Sequence, residues 1–242
     1  MRLSLACFSV LAACNTPAPS EGQDSGGPLG DSGISEPAAP VTATIQVLNP
    51  MTGGGMKGIA ISGGLEDVST QTGGAAEVFV AADEAFELLL ESDKILDHLL
   101  VGTAGSQDFE LITFAGTPST SEAVLGMLGI SWAPETGMVV IGVDYSNWAP
   151  VVGAQVTLSD SNAESFVLAG NGMPSLSDTI PSGGMGMVSF VNVPAGEVSV
   201  EVLPPEGVTC RPHPGGSHYD AIPVEPGKVT VASLQCQDES AD

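Results

Sequence analysis

The chain has 242 residues, room for one large or two small domains, with 29 acidic against 5 basic residues and a formal charge of -24. That charge repels phosphate backbones and excludes nucleic acid as a partner, and it disfavours an anionic membrane surface for the same reason. Charged residues make up only 14%, while 31 Gly, 18 Pro and many Val point to strands and turns rather than helices.

Residues 1–13, MRLSLACFSVLAA, carry one positive charge, Arg2, followed by a mainly apolar run from Leu3 to Ala13. The run is too short to span a bilayer, which takes about 20 apolar residues, and fits the charged start and short core of a secretory signal peptide. Leu11-Ala12-Ala13-Cys14 then resembles the lipobox of bacterial lipoproteins. The resemblance implies cleavage before Cys14, acylation of that cysteine and attachment to a lipid bilayer. The alternative is an ordinary secretory signal that happens to contain a cysteine. Asn15 follows, where aspartate would mark inner-membrane retention, so the resemblance favours the outer membrane of the cell envelope.

Residues 15–40 contain Glu21, Asp24, Asp31 and Glu36, no basic residue, no aromatic and two branched aliphatics, Leu29 and Ile34. Such a segment cannot offset its ordering entropy by burial and reads as a disordered tether, with a coil span of about 30 Å. Within it, Asp24-Ser25-Gly26-Gly27-Pro28-Leu29 looks like the nucleophile segment of chymotrypsin-like serine proteases. That chemistry needs a histidine and an aspartate ahead of the serine on a rigid barrel, and residues 1–23 hold neither.

From Val41 the pattern alternates. Val41, Ala43, Ile45 and Val47 predict one buried strand face. Strands follow at Gly58 to Ile61, Glu77 to Val80 and Ala85 to Glu91, where Leu89 breaks the alternation. Leu96 to Thr103 and Phe109 to Ala115 predict a hairpin through Ala104-Gly105-Ser106-Gln107. Ser119-x-x-Glu122 before Ala123 to Ile130 is a capping-box signature for a short helix. Further strands are expected at Met138 to Val143, Val151 to Leu158, Met187 to Val191, Glu197 to Val202 and Lys228 to Leu234.

The second half echoes the first. Ile45-Gln46-Val47 before Gly58-Ile59-Ala60-Ile61 matches Ile141-Gly142-Val143 before Gly153-Ala154-Gln155-Val156, and Gly73-Gly74 matches Gly183-Gly184. The second copy carries extra residues at about 160–181.

Pro150 to Leu158, Gly186 to Phe190, and Asn192-Val193-Pro194-Ala195-Gly196 before Val198 to Val202 resemble the carboxypeptidase regulatory-like, or transthyretin-like, module. The resemblance covers most of residues 137–237, and loosely the first copy, where Ala81-Ala82-Asp83-Glu84 replaces the Pro-Ala-Gly turn. It implies a Greek-key sandwich and no catalytic residues. The expected architecture is all-β: two Greek-key β-sandwich modules, 41–117 and 137–237, joined by a connector with a short helix, 118–136. A lipoprotein signal peptide (1–13) and a lipidated, disordered linker (14–40) precede them, and an acidic tail (238–242) follows.

Cys210 and Cys236 are expected to pair as a disulfide in an oxidising compartment, adding about 3–3.5 kcal/mol in the chain-entropy model; two free thiols are the alternative. Between them, His213, His218 and Asp220 are weak metal candidates, since zinc wants three or four convergent ligands. An ordinary disulfide-clipped loop is the competing reading. Ser159 to Glu164 invites calcium but lacks EF-hand spacing, so surface solvation is the better reading. Trp132 and Trp148 suit either binding or packing. His98 lies on an apolar strand without a relay partner. No nucleophile–base constellation or cofactor motif appears, so no cofactor is expected. The expectation is a non-catalytic envelope lipoprotein for binding, adhesion or spacing. Its partners are the lipid bilayer through Cys14, and an envelope protein or a glycan. A second reading is a carbohydrate- or protein-binding accessory using the 160–181 and 211–222 loops; an enzyme with an unrecognised site is the third.

Overall fold

The computed structural model describes residues 39–159 and 163–239. The signal peptide 1–13, Cys14, the linker as far as residue 38, Asp160-Ser161-Asn162 and the last three residues lie outside the described residues.

Among the described residues the fold is all-β with one helix. The first half forms β1 (Val41–Leu48), β2 (Ala60–Ser62), β3 (Val68–Ser69), β4 (Ala75–Val80), β5 (Ala85–Glu91), β6 (His98–Thr103) and β7 (Phe109–Phe114). Helix α1 (Pro118–Leu128) follows. The second half forms β8 (Thr136–Tyr145), β9 (Gln155–Leu158), β10 (Glu164–Leu168), β11 (Pro174–Leu176) and β12 (Met187–Pro194). It continues with β13 (Gly196–Val198), β14 (Val200–Leu203), β15 (Val208–His213), β16 (Ile222–Val224) and β17 (Val229–Asp238).

One scheme of pairing occurs twice. β1 lies between antiparallel β4 and parallel β7, and β8 lies between antiparallel β12 and parallel β17. The antiparallel pair of β2 with β5 returns as β9 with β14. Even loop contacts recur: Met56 N–H donates to Val47 O (2.9 Å), and Val151 N–H donates to Val143 O (3.1 Å). A Cβ at Gly55 would overlap the Gly73 carbonyl, and one at Gly170 the Gly183 carbonyl, so glycine is required where these backbones touch. Each lobe encloses its own core, with Ile45, Ile59, Ile61, Leu88 and Leu90 in the first and Val139, Ile141, Val143, Val188 and Ile222 in the second.

The lobes are nevertheless fused. The first residues of β17, Val229 to Val231, pair with β6 as well as β8, while its later residues pair with β15. One ten-stranded sheet therefore runs through both halves. This accounts for the odd apolar pattern of the first half. Leu89, Leu99 and Val101 point away from their own core and pack on that of the second lobe. A strand buried on both faces loses its period-two signature.

Several predicted elements are corrected. The expected hairpin of Leu96 to Thr103 with Phe109 to Ala115 does not form: β6 pairs β5 and β17, whereas β7 joins β1 in the other sheet. Each segment has an apolar surface for a different sheet, so the turn crosses the sandwich. The predicted strand at Val151 shortens to β9, because Gly153 (φ 88°) makes a turn. Glu197 to Val202 is two strands: β13 pairs β16 and β14 pairs β9, so the chain changes sheets at Ser199. The helix begins earlier than the Ser119–Glu122 box, with Thr117 as N-cap, its Oγ1 accepting from Thr120 N–H (3.1 Å), and Pro118 in the first turn.

Candidate functional site

The Arg211–Ile222 region is mostly structure. Cys210 and Cys236 form a disulfide between directly opposed residues of β15 and β17, with Cα atoms 4.0 Å apart. Tyr219 Oη donates to Ser233 O (3.0 Å), and burial pushes the phenol up to about 12. His213 ends β15; its Nε2 lies 2.9 Å from Glu110 O on β7, and its ring meets Trp148 edge-on at 6.0 Å. His218 and Asp220 lie in the following turn. Among the described residues, no three His, Cys, Asp or Glu side chains converge as a metal site. The candidates His213, His218 and Asp220 are thus not brought together, because β15 commits His213 to the contact with the first lobe.

The extra residues at 160–181 also build the body. β10 and β11 form a hairpin on the edge of the large sheet, and Ile180 plugs the second core. Gln155 Nε2 donates to Asp178 Oδ2 (2.8 Å), and that bond holds the Asp178 carboxyl below its usual range. Met173 and Leu176 are left exposed on this hairpin. In the module-like motif, Asn192 sits at φ 60° where β12 shifts register. Its Oδ1 accepts from Ala133 N–H (2.8 Å), and its Nδ2 donates to Ser131 O (3.0 Å), tying down the connector. Trp132 Nε1 donates to Thr136 O (3.2 Å) nearby, so this indole packs the same corner.

His98 is buried, with Nδ1 2.6 Å from Leu96 O. Desolvation by burial holds its pKa below the ordinary value despite backbone hydrogen bonds with Leu96 and Phe114 that favour the cation.

The more unusual chemistry lies where the lobes meet. A cleft of about 230 Å³ opens between β7 and the outer face of β8 and β17. Asp144 and Trp148 line it from the second lobe, and Thr113 lines it from the first. Burial raises the Asp144 carboxyl to about 7. Thr113 lines it with its backbone only: it is 3% exposed and shares the core face of β7 with Leu111, where its Oγ1 has no hydrogen-bond partner among the described residues. A side chain at Gly186 would collide with the Asp144 carboxylate, so the backbone of that segment is pressed against it. Sequence reasoning missed this site. The available signal was one carboxylate closing the otherwise apolar run Met138 to Val143, directly before the tight turn Ser146-Asn147.

No family model matches the chain, and no curated protein matches it. Among solved structures, it is similar to the Bacillus anthracis TIE protein at 12% identity and a TM-score of 0.27, covering 82% of this chain and 34% of that one. The chain therefore spans about a third of that protein. It is similar to GBS52, a minor pilin of Streptococcus agalactiae, at 12% identity and a TM-score of 0.29, covering 82% and 96%. The shaft pilin spaA of Lactobacillus rhamnosus GG gives 8% identity and a TM-score of 0.25, covering 82% and 98%. Likenesses this shallow leave the function to the chain's own residues.

Proposed function

We propose that this chain is a lipid-anchored protein of the bacterial cell envelope whose β-sandwich lobes bind, adhere or space without catalysis. Leu11-Ala12-Ala13-Cys14, behind a short charged and apolar leader, is the observation that carries it. Two or more acyl chains on Cys14 give stable attachment, at about 0.8 kcal/mol per buried CH₂. Residues 15–40, read as a tether, supply the length of chain that separates such lobes from a bilayer. Asn15 favours delivery to the outer membrane. Among the described residues, no helix is long and apolar enough to cross a membrane. The carboxypeptidase regulatory-like resemblance of residues 137–237 supports a non-catalytic role. A fused sheet with a disulfide-clipped edge suits a spacer that must keep its shape outside the cell.

Labelled palmitate fed to a bacterial host expressing the full chain tests the anchor. Incorporation should be blocked by globomycin and lost in Cys14→Ser, with release of that variant from the membrane fraction. Unchanged membrane fractionation of Cys14→Ser would overturn the anchor. The second reading, an accessory that binds a protein or glycan, is favoured by exposed Met173 and Leu176 on the edge hairpin. Pull-down against envelope proteins and glycans separates it from a passive spacer.

A further inference from the structure

The cleft between the lobes has an unbalanced chemistry. Its single carboxylate, Asp144, makes no ion pair, and no Lys, Arg or His lines the cleft. Ser233 adds a hydroxyl from β17, and β7 presents Ile112 and Phe114, because Thr113 pairs beside Val47 and turns its side chain into the first-lobe core. The remaining walls are largely apolar, with the indole of Trp148 and the thioethers of Met185 and Met187 among them. A partly buried carboxylate without a partner, set against apolar walls, is costly unless something pairs with it.

We propose that this cleft is a binding site for an alkylammonium group, with Asp144 as counterion, the Ser233 hydroxyl as acceptor and Trp148 as its wall. The cation's N–H groups donate to the carboxylate and the Ser233 hydroxyl. Its carbon chain lies on the thioethers and the indole, and an aromatic face attracts a nearby cation. An anion is excluded by Asp144. A divalent metal is excluded because calcium takes six to eight oxygens and zinc three or four convergent protein ligands. The net charge of -24 raises the local concentration of cations around the whole molecule. The site is independent of the anchor at Cys14.

Burial holds Asp144 protonated up to about pH 7, so binding a cation near neutrality must expel a proton. The titratable groups around it are few. Tyr145 follows it on β8, and His213 of β15 shares with it a small hollow beside Trp148. β7, β17 and the Gly184–Met187 segment present no charged group to the cleft.

The test is calorimetric titration of the full chain in detergent micelles with n-butylammonium chloride, against equal sodium chloride, in buffers of different ionisation enthalpy. Saturable binding is expected with a Kd of about 1 mM or tighter, with proton release near neutral pH. Affinity should fall as the pH drops below 7, and should still do so in His213→Gln. Asp144→Asn, shown folded by an unchanged far-UV circular dichroism spectrum, should weaken binding at least about tenfold and abolish proton release. Ser233→Ala should weaken it several-fold. No saturable binding would overturn the proposal. So would equal binding by Asp144→Asn or by n-butanol, the neutral isostere, or a pH dependence that disappears in His213→Gln.

Discussion

The two lobes share one pairing scheme and close it differently. In the first, the third strand of the core trio, β7, is six residues long and has β1 as its partner. In the second, the equivalent β17 has ten residues and serves β8, β6 and β15 together. The fusion uses the second edge of β17 at Val229 to Val231, while its later residues carry β15. The first lobe contains no cysteine, whereas the second adds a covalent clip at the far end of the shared strand.

The sharpest way to break this comparison is to weaken one lobe and watch the other. Ile45 and Ile141 occupy matching positions, and both are 0% exposed. Ile45→Ala and Ile141→Ala should each cost about 4 kcal/mol. Both tryptophans lie beyond the first lobe, so their fluorescence reports on the second, while far-UV circular dichroism reports on both. With β17 joining the lobes, urea curves from the two probes should coincide in Ile45→Ala. Fluorescence that lags dichroism would show that the lobes melt separately.

Removing the clip should have a somewhat smaller effect. Cys210→Ser with Cys236→Ser opens a loop with a sequence separation of 26. The chain-entropy model gives a loss of about 3 kcal/mol. Hydrogen exchange should then rise first in β15 and the last residues of β17, with β1, β4 and β7 protected as before. Uniform acceleration through both lobes would mean that the disulfide supports the whole sheet.

The smallest effect separates the lobes by pH. His98, in the first, has a depressed pKa, so its contribution is intact above the unfolded value of about 6.5 and lost as the pH falls below it. Asp144, in the second, has a raised pKa. Its contribution is full below the unfolded value of about 4 and lost as the pH rises through about 7. Asp144→Asn should therefore raise stability at pH 8 by roughly 1 kcal/mol, discounted because the carboxylate is partly exposed. At pH 4 it should give no gain. Calorimetric melting at the two pH values checks this, and an equal gain at both would assign the effect to packing.

Much of this comparison was legible in the sequence. The alternation of Val41, Ala43, Ile45 and Val47 marked a half-buried strand, and the paired Gly landmarks marked the repeat, because tight turns and close backbone approaches require glycine. The pairing of Cys210 with Cys236 also followed from the residues. The fusion was not legible. Leu89 looked like an irregularity, and only the neighbour across the sheet explains it. The cleft was hidden for a related reason. Asp144 and Thr113 are 31 residues apart by their numbers and on strands of different sheets, and neither carries a local motif. Conversely, His213, His218 and Asp220 looked like a cluster because they are close in sequence, and β15 sends them apart.

The shared strand also sets the order in which the chain can be completed. β17 is the last strand of the fold, yet it supplies an outer partner to β6 in the first half. While residues 229–238 have not arrived, β6 and β8 both present bare backbone edges, the template for pairing with other chains. A nascent or half-threaded polypeptide is therefore vulnerable until residues 229–238 have joined the sheet. Anything that shields those two edges until residues 229–238 emerge would govern the yield of native protein.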